Sequence, residues 1–117
     1  MKNAEVTVTS VRYIDRSALE AELTVTDGTH SVICFSQPYD DTAAVDVLHV
    51  LCAENVVLVH DESSVTHCGG FSHIIVGTVC HGGIITVGGL RFDGVCLPGD
   101  VAVGDKVSFR AVRVDVW

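Results

Sequence analysis

Hydrophobic and polar residues alternate most regularly between Glu20 and Phe35. Ala21, Leu23 and Val25 interleave with Glu20, Glu22, Thr24 and Thr26. That period of two gives a strand one buried and one wet face. Asp27-Gly28 follows, a dipeptide suited to a tight hairpin turn because glycine takes positive φ freely and aspartate tolerates it. Beyond it, Val32-Ile33-Cys34-Phe35 is apolar at every position, as in a strand enclosed on both faces. The pattern predicts a hairpin around which the rest of the chain wraps.

Upstream, Glu5 to Tyr13 reads as the first strand, with Val6 and Val8 facing one way and Thr7, Thr9, Val11 and Tyr13 the other. The break in phase predicts a bulge near Ser10 or burial on both faces. Downstream, Pro38 ends the hairpin because it cannot donate to a ladder. Thr42 to Ala53 is then predicted as the single helix. Ala44, Val47, Leu48, Leu51 and Cys52 fall on one stripe at helical spacing. Asp40, Asp41 or Thr42 can cap it, and the β-branched Val45, Val47 and Val50 oppose it.

The remaining pattern is again of strands. Val56-Val57-Leu58-Val59 is short and apolar, residues 61–70 read as a polar loop, and Phe71 to Cys80 reads as a long strand. Gly82-Gly83 and Gly88-Gly89 bracket Ile84-Ile85-Thr86-Val87, as at tight hairpins or barrel corners. Two turn signals, Leu97-Pro98-Gly99-Asp100 and Val103-Gly104-Asp105-Lys106, precede a last strand from Lys106 to Val116. Its buried phase changes near Ala111. Three strands, one helix, then further strands with a long closing one resemble an OB-fold, a small five-stranded barrel. The expected fold is therefore all-β, an OB-like barrel with a helix at 42–53, formed by residues 1–117 as one domain.

Composition narrows this. With 48 % hydrophobic and 19 % charged residues, the chain has the makings of a packed core and is not disordered. No apolar run reaches the roughly 18 residues of a membrane span. The polar N-terminal stretch lacks the apolar segment of a signal peptide, which leads to the expectation of a cytoplasmic protein. Five cysteines, an odd number without C-x-x-C spacing, read as reduced thiols, most of them core fillers, with Cys68 in a polar stretch.

The net charge is −8, unevenly spread. Between Ser17 and Leu90 there are nine acids and no Lys or Arg, while all seven basic residues lie near the ends. Were the first and last strands neighbours, Arg12, Arg110 and Arg113 with Tyr13 would form a basic strip suited to single-stranded nucleic acid, where bases stack on aromatics. The acidic total opposes that partner, and ion pairing of the arginines with nearby acids is the simpler reading. Conversely, Asp40, Asp41, Asp46, Glu54, Asp61 and Glu62 offer an acidic face to a basic protein.

Chemistry beyond binding finds little support. His60 and His67 flank a His- and Cys-containing loop and are the candidate metal ligands, at a spacing that matches no known motif. Cys80-His81 cannot act as a nucleophile and base, because neighbouring strand side chains point to opposite faces. No phosphate loop, dinucleotide fingerprint or nucleophile elbow is present. The chain is expected to be a non-enzymatic binding domain without a cofactor. Its expected partner is another macromolecule, a protein first and single-stranded nucleic acid as the alternative.

Overall fold

The computed structural model describes residues 6–42 and 44–117. Lys2, the strand start at Glu5, and Ala43 within the expected helix lie outside them. The described chain is built from nine strands and one 3-10 turn at His81–Gly83. The strands are β1 (Thr7–Asp15), β2 (Glu20–Thr26), β3 (Ser31–Ser36), β4 (Val47–Val59), β5 (Ser64–Gly69), β6 (Ser72–Val79), β7 (Ile85–Val87), β8 (Leu90–Asp93) and β9 (Lys106–Val116).

β1, β2 and β3 form an antiparallel meander. The alternation of β2 is realised as the sequence dictates: Ala21, Leu23 and Val25 are fully buried, while their polar neighbours lie half-buried on the opposite face. The connection to β3 is longer than a two-residue turn. Thr26 pairs with Ser31, leaving four residues in the loop. Gly28 alone takes positive φ there (95°), and the Asp27 carboxylate accepts the N–H groups of Thr29 and His30 at 2.9 and 2.7 Å. In β1 the ladder shifts register between Val8 and Ser10, the bulge that the broken phase predicts.

β4, β9, β6, β7 and β8 close into a five-stranded barrel. β9 pairs antiparallel with both β4 and β6, β6 with β7, β7 with β8, and β8 returns parallel to β4. Phe92, Phe109, Ile75, Ile85, Leu90 and Val107 fill it and are almost wholly buried. At Gly77 a Cβ would stand 2.6 Å from Ile85 Cγ2 and 2.8 Å from the Thr86 carbonyl oxygen. Only glycine lets β6 and β7 approach this closely.

The two parts share β9. On the edge of β9 away from β4, residues 106–111 pair with β6 and residues 115–116 pair parallel with β3. This handover accounts for the change of buried phase near Ala111: Val107, Phe109 and Ala111 are buried first, then Val114 and Asp115. Asp27 ties the meander to the barrel from the other end, accepting the N–H of Gly89 at 2.8 Å. A Cβ on Gly88 would collide with that carboxylate.

The helix expected at 42–53 is absent; residues 47–53 belong to β4. The helical stripe and a strand pattern share Leu48, but the strand buries Leu48 and Val50 while leaving Val47 and His49 on the other face. β-branched Val47 and Val50 favour this outcome. The separate short strand read at 56–59 is the end of the same element, which bends through a register shift between Glu54 and Val57. Cys52 and Asn55 carry positive φ there (58° and 55°). The loop expected at 61–70 contains a further strand, β5, paired with β6.

Candidate functional site

A cleft of about 380 Å³ opens between β1 and the 37–46 connection. Its apolar wall comes from Val8 and Val11 of β1, Leu23 of β2 and Val116 of β9. Val11 and Leu23 are cross-strand partners, as are Val8 and Val25, so this wall continues the buried face of the meander out to the sheet edge. The opposite wall is Pro38, Tyr39, Ala44 and Val45, with Asp40 and Asp41 at the rim.

Tyr39 and Asp40 are held in place. The backbone N–H of Tyr39 donates to the Leu19 carbonyl at 2.9 Å, and its ring meets that of Tyr13 edge-on with centroids 6.2 Å apart. Burial, then Asp41, Tyr13 and Asp40, push the Tyr39 hydroxyl above its ordinary pKa. Asp40 Oδ1 accepts the Thr42 N–H at 2.9 Å and its hydroxyl at 2.6 Å, which holds that carboxyl below its ordinary value.

Trp117, also on the cleft, is 73 % exposed, the most exposed large apolar residue described. It is not loose. Its ring stacks on His49 at 3.8 Å and 11°, and His49 Nδ1 is hydrogen-bonded to Asp93 Oδ1 at 2.8 Å. The strand register brings these groups together: Arg12, Glu22, Phe35, Asp115, His49 and Asp93 stand in one row across β1, β2, β3, β9, β4 and β8. Nothing in the sequence signals the His49–Asp93 pair, whose members lie 44 residues apart.

The sequence-derived cationic candidates occupy different places. Arg12 pairs with Glu22 at 2.6 Å, and its neighbour Tyr13 points to the other face with Ala21. Arg113 forms two hydrogen bonds to Asp115, each 2.6 Å, and its guanidinium lies 4.3 Å from the Phe35 ring centroid. Arg110, between Ile74 and Glu54, donates to Ser72 Oγ at 3.2 Å. Arg110 and Arg113, three residues apart on one strand, present opposite faces. β1 and β9 are separated by β2 and β3, or about 14 Å of sheet. Arg12, Tyr13, Arg110 and Arg113 therefore do not make one strip.

His67 lies opposite His73 on the β5–β6 ladder, level with Ala111 of β9, and hydrogen-bonds the Gly70 carbonyl at 2.7 Å. His60 follows Val59, which is level with Lys106. The register sets Val59 and His67 five residues apart along β9, about 17 Å, with His60 one residue beyond Val59. Among the described residues, no group of three or more His, Cys, Asp or Glu side chains is placed to hold a metal ion. No described helix is long and apolar enough to cross a membrane. No known family model, curated protein or solved structure matches the chain.

Proposed function

We propose that this chain is a small non-catalytic binding domain that takes a segment of another protein into the cleft between β1 and residues 37–46. One observation carries the reading: the apolar wall of Val8, Val11 and Val116, laid over the buried Leu23, stays open, with the exposed Trp117 among the lining residues. Exposed aromatics beside concave apolar surface are characteristic of recognition sites. The OB-like description belongs to the same proposal. What supports it is a small closed barrel of five strands, β4, β9, β6, β7 and β8, with the β1–β3 meander outside that closure.

A protein partner is favoured over nucleic acid because three of the five arginines are already engaged by acids: Arg12 with Glu22, Arg91 with Asp46 and Arg113 with Asp115. A phosphate backbone would have to displace these acids from a body of net charge −8.

The test is a peptide-display selection against the intact protein, with every selected peptide re-measured on Val11→Arg. Val11 is an exposed wall residue, so this variant keeps the core. Selected peptides are expected to lose at least about tenfold in affinity, the order of one anchoring contact. Selected peptides that bind the variant undiminished place recognition elsewhere and remove the cleft from the proposal.

A further inference from the structure

We infer that the segment held by the cleft is cationic as well as apolar, an extended peptide in which Leu- or Val-like side chains alternate with Lys or Arg. The inference rests on the cleft reading above and names the chemistry of its occupant.

Three features argue for it. The polar positions of the rim on the 37–46 side are Asp40 and Asp41, and no Lys or Arg lines the cleft among the described residues. Asp40 is fixed by Thr42 rather than by a cation, so its charge is available to a ligand. The neighbourhood already accommodates one guanidinium: Arg16 lies 4.6 Å from the centroid of the Tyr13 ring, which itself packs on Tyr39. A ligand cation at the rim would find the same attraction from Tyr39 and Trp117, together with two carboxylates.

An extended ligand suits a cleft with one apolar wall and an acidic rim. In an extended peptide, alternate side chains point to opposite sides. One set enters against Val8, Val11 and Val116 while the other stays at the wet rim. Acids across residues 17–90 add a long-range field that draws a cationic segment in and repels an acidic one.

The experiment titrates the intact protein with three synthetic peptides of equal length, alternating Leu with Lys, Gln or Glu. The readout is the emission of Trp117, the only tryptophan in the chain. The Lys peptide is expected to bind at least about tenfold tighter than the Gln peptide and to weaken severalfold as salt rises toward about 0.3 M. Asp40→Asn with Asp41→Asn should remove most of that advantage. Asn at position 40 still accepts the Thr42 bonds, so the loop is kept. Glu54→Gln with Glu62→Gln lowers the total charge equally, away from the cleft, and should cost less than about twofold.

Three results overturn the inference. Equal binding of the Lys and Gln peptides shows an apolar ligand without a cationic requirement, and the cleft reading survives. Equal losses in the two double variants show attraction to the whole acidic body rather than to the rim. If no peptide moves Trp117 and the displayed peptides are also indifferent to Val11→Arg, the cleft itself is wrong and the inference falls with it.

Discussion

The imidazole Nε2 of His73 accepts the backbone N–H of Ile33 at 3.1 Å, a hydrogen bond from the barrel to the meander across 40 residues of chain. Nδ1 of the same ring lies 3.2 Å from the Phe71 carbonyl oxygen and must donate to it. The two bonds together fix the neutral tautomer. Burial first, and then the neighbouring His67, push the imidazole pKa down from 6.5 to about 4. A proton on Nε2 would turn acceptor into donor and set it against the Ile33 amide.

Stability is therefore expected to fall as pH falls from about 6.5 to about 4. Over that window the unfolded chain takes up a proton that the folded chain refuses, and above it this group contributes no slope. The full effect is on the order of 3 kcal/mol. Urea midpoints measured across this range should show the slope in the native protein and a much reduced one in His73→Gln. An unchanged slope would assign the effect to other groups.

Asp27 predicts a second acid-sensitive step of opposite origin. Burial disfavours its charge, but the His30, Gly89 and Thr29 amides outweigh burial and hold its pKa below 3.8. Its contribution is present above pH 3.8 and is lost as pH drops through the lower folded value. Asp27→Ala at neutral pH orphans three amide donors and should cost about 2–4 kcal/mol. Denaturant titration checks this, and a cost under about 0.5 kcal/mol would show that water satisfies those amides equally well.

Gly77→Ala should destabilise by about 3 kcal/mol or more, since its Cβ would fall within contact distance of both the Ile85 side chain and the Thr86 backbone. Gly99→Ala is the matched control. It has open space around the added carbon and no positive φ, so its melting temperature should stay within a degree or two of the native value. Equal melting of the two variants would mean that the barrel yields at β6 and β7.

Cysteine reactivity should divide by place. Cys34 is fully buried, and burial with the nearby Asp115 raises its pKa. Cys52, Cys68 and Cys96 are exposed. A disulfide reagent such as a nitrobenzoate probe should modify those three in the folded protein and reach Cys34 only on unfolding. Rapid labelling of Cys34 under native conditions would contradict the packing of β3 against β9.

Legibility followed the range of the interactions. The β2–β3 hairpin, the strands at 71–80 and 106–116 and the Gly-bounded strand near 84–87 were readable because alternation and turn residues are local signals. β4 was not, because Leu48, Leu51 and Cys52 satisfy a helical spacing. Pairing with β8 and β9, distant in sequence, decided the matter for extended chain. Of the site, Asp40 and Asp41 were legible as acids at a loop. The cleft was not, since Val11 and Trp117 reach it only through three-dimensional folding. The stack of Trp117 on His49, and the pairing of His49 with Asp93, depend on strand register and leave no trace in spacing.

Because β9 follows every one of its partners in chain order yet joins the meander to the barrel, neither part can be finished until residues 106–116 have been made. On the ribosome, β3, β4 and β6 must wait with unpaired edges until residues 106–116 have cleared the exit tunnel. Such a chain depends on rapid late closure, or on a chaperone that shields those edges in the interval.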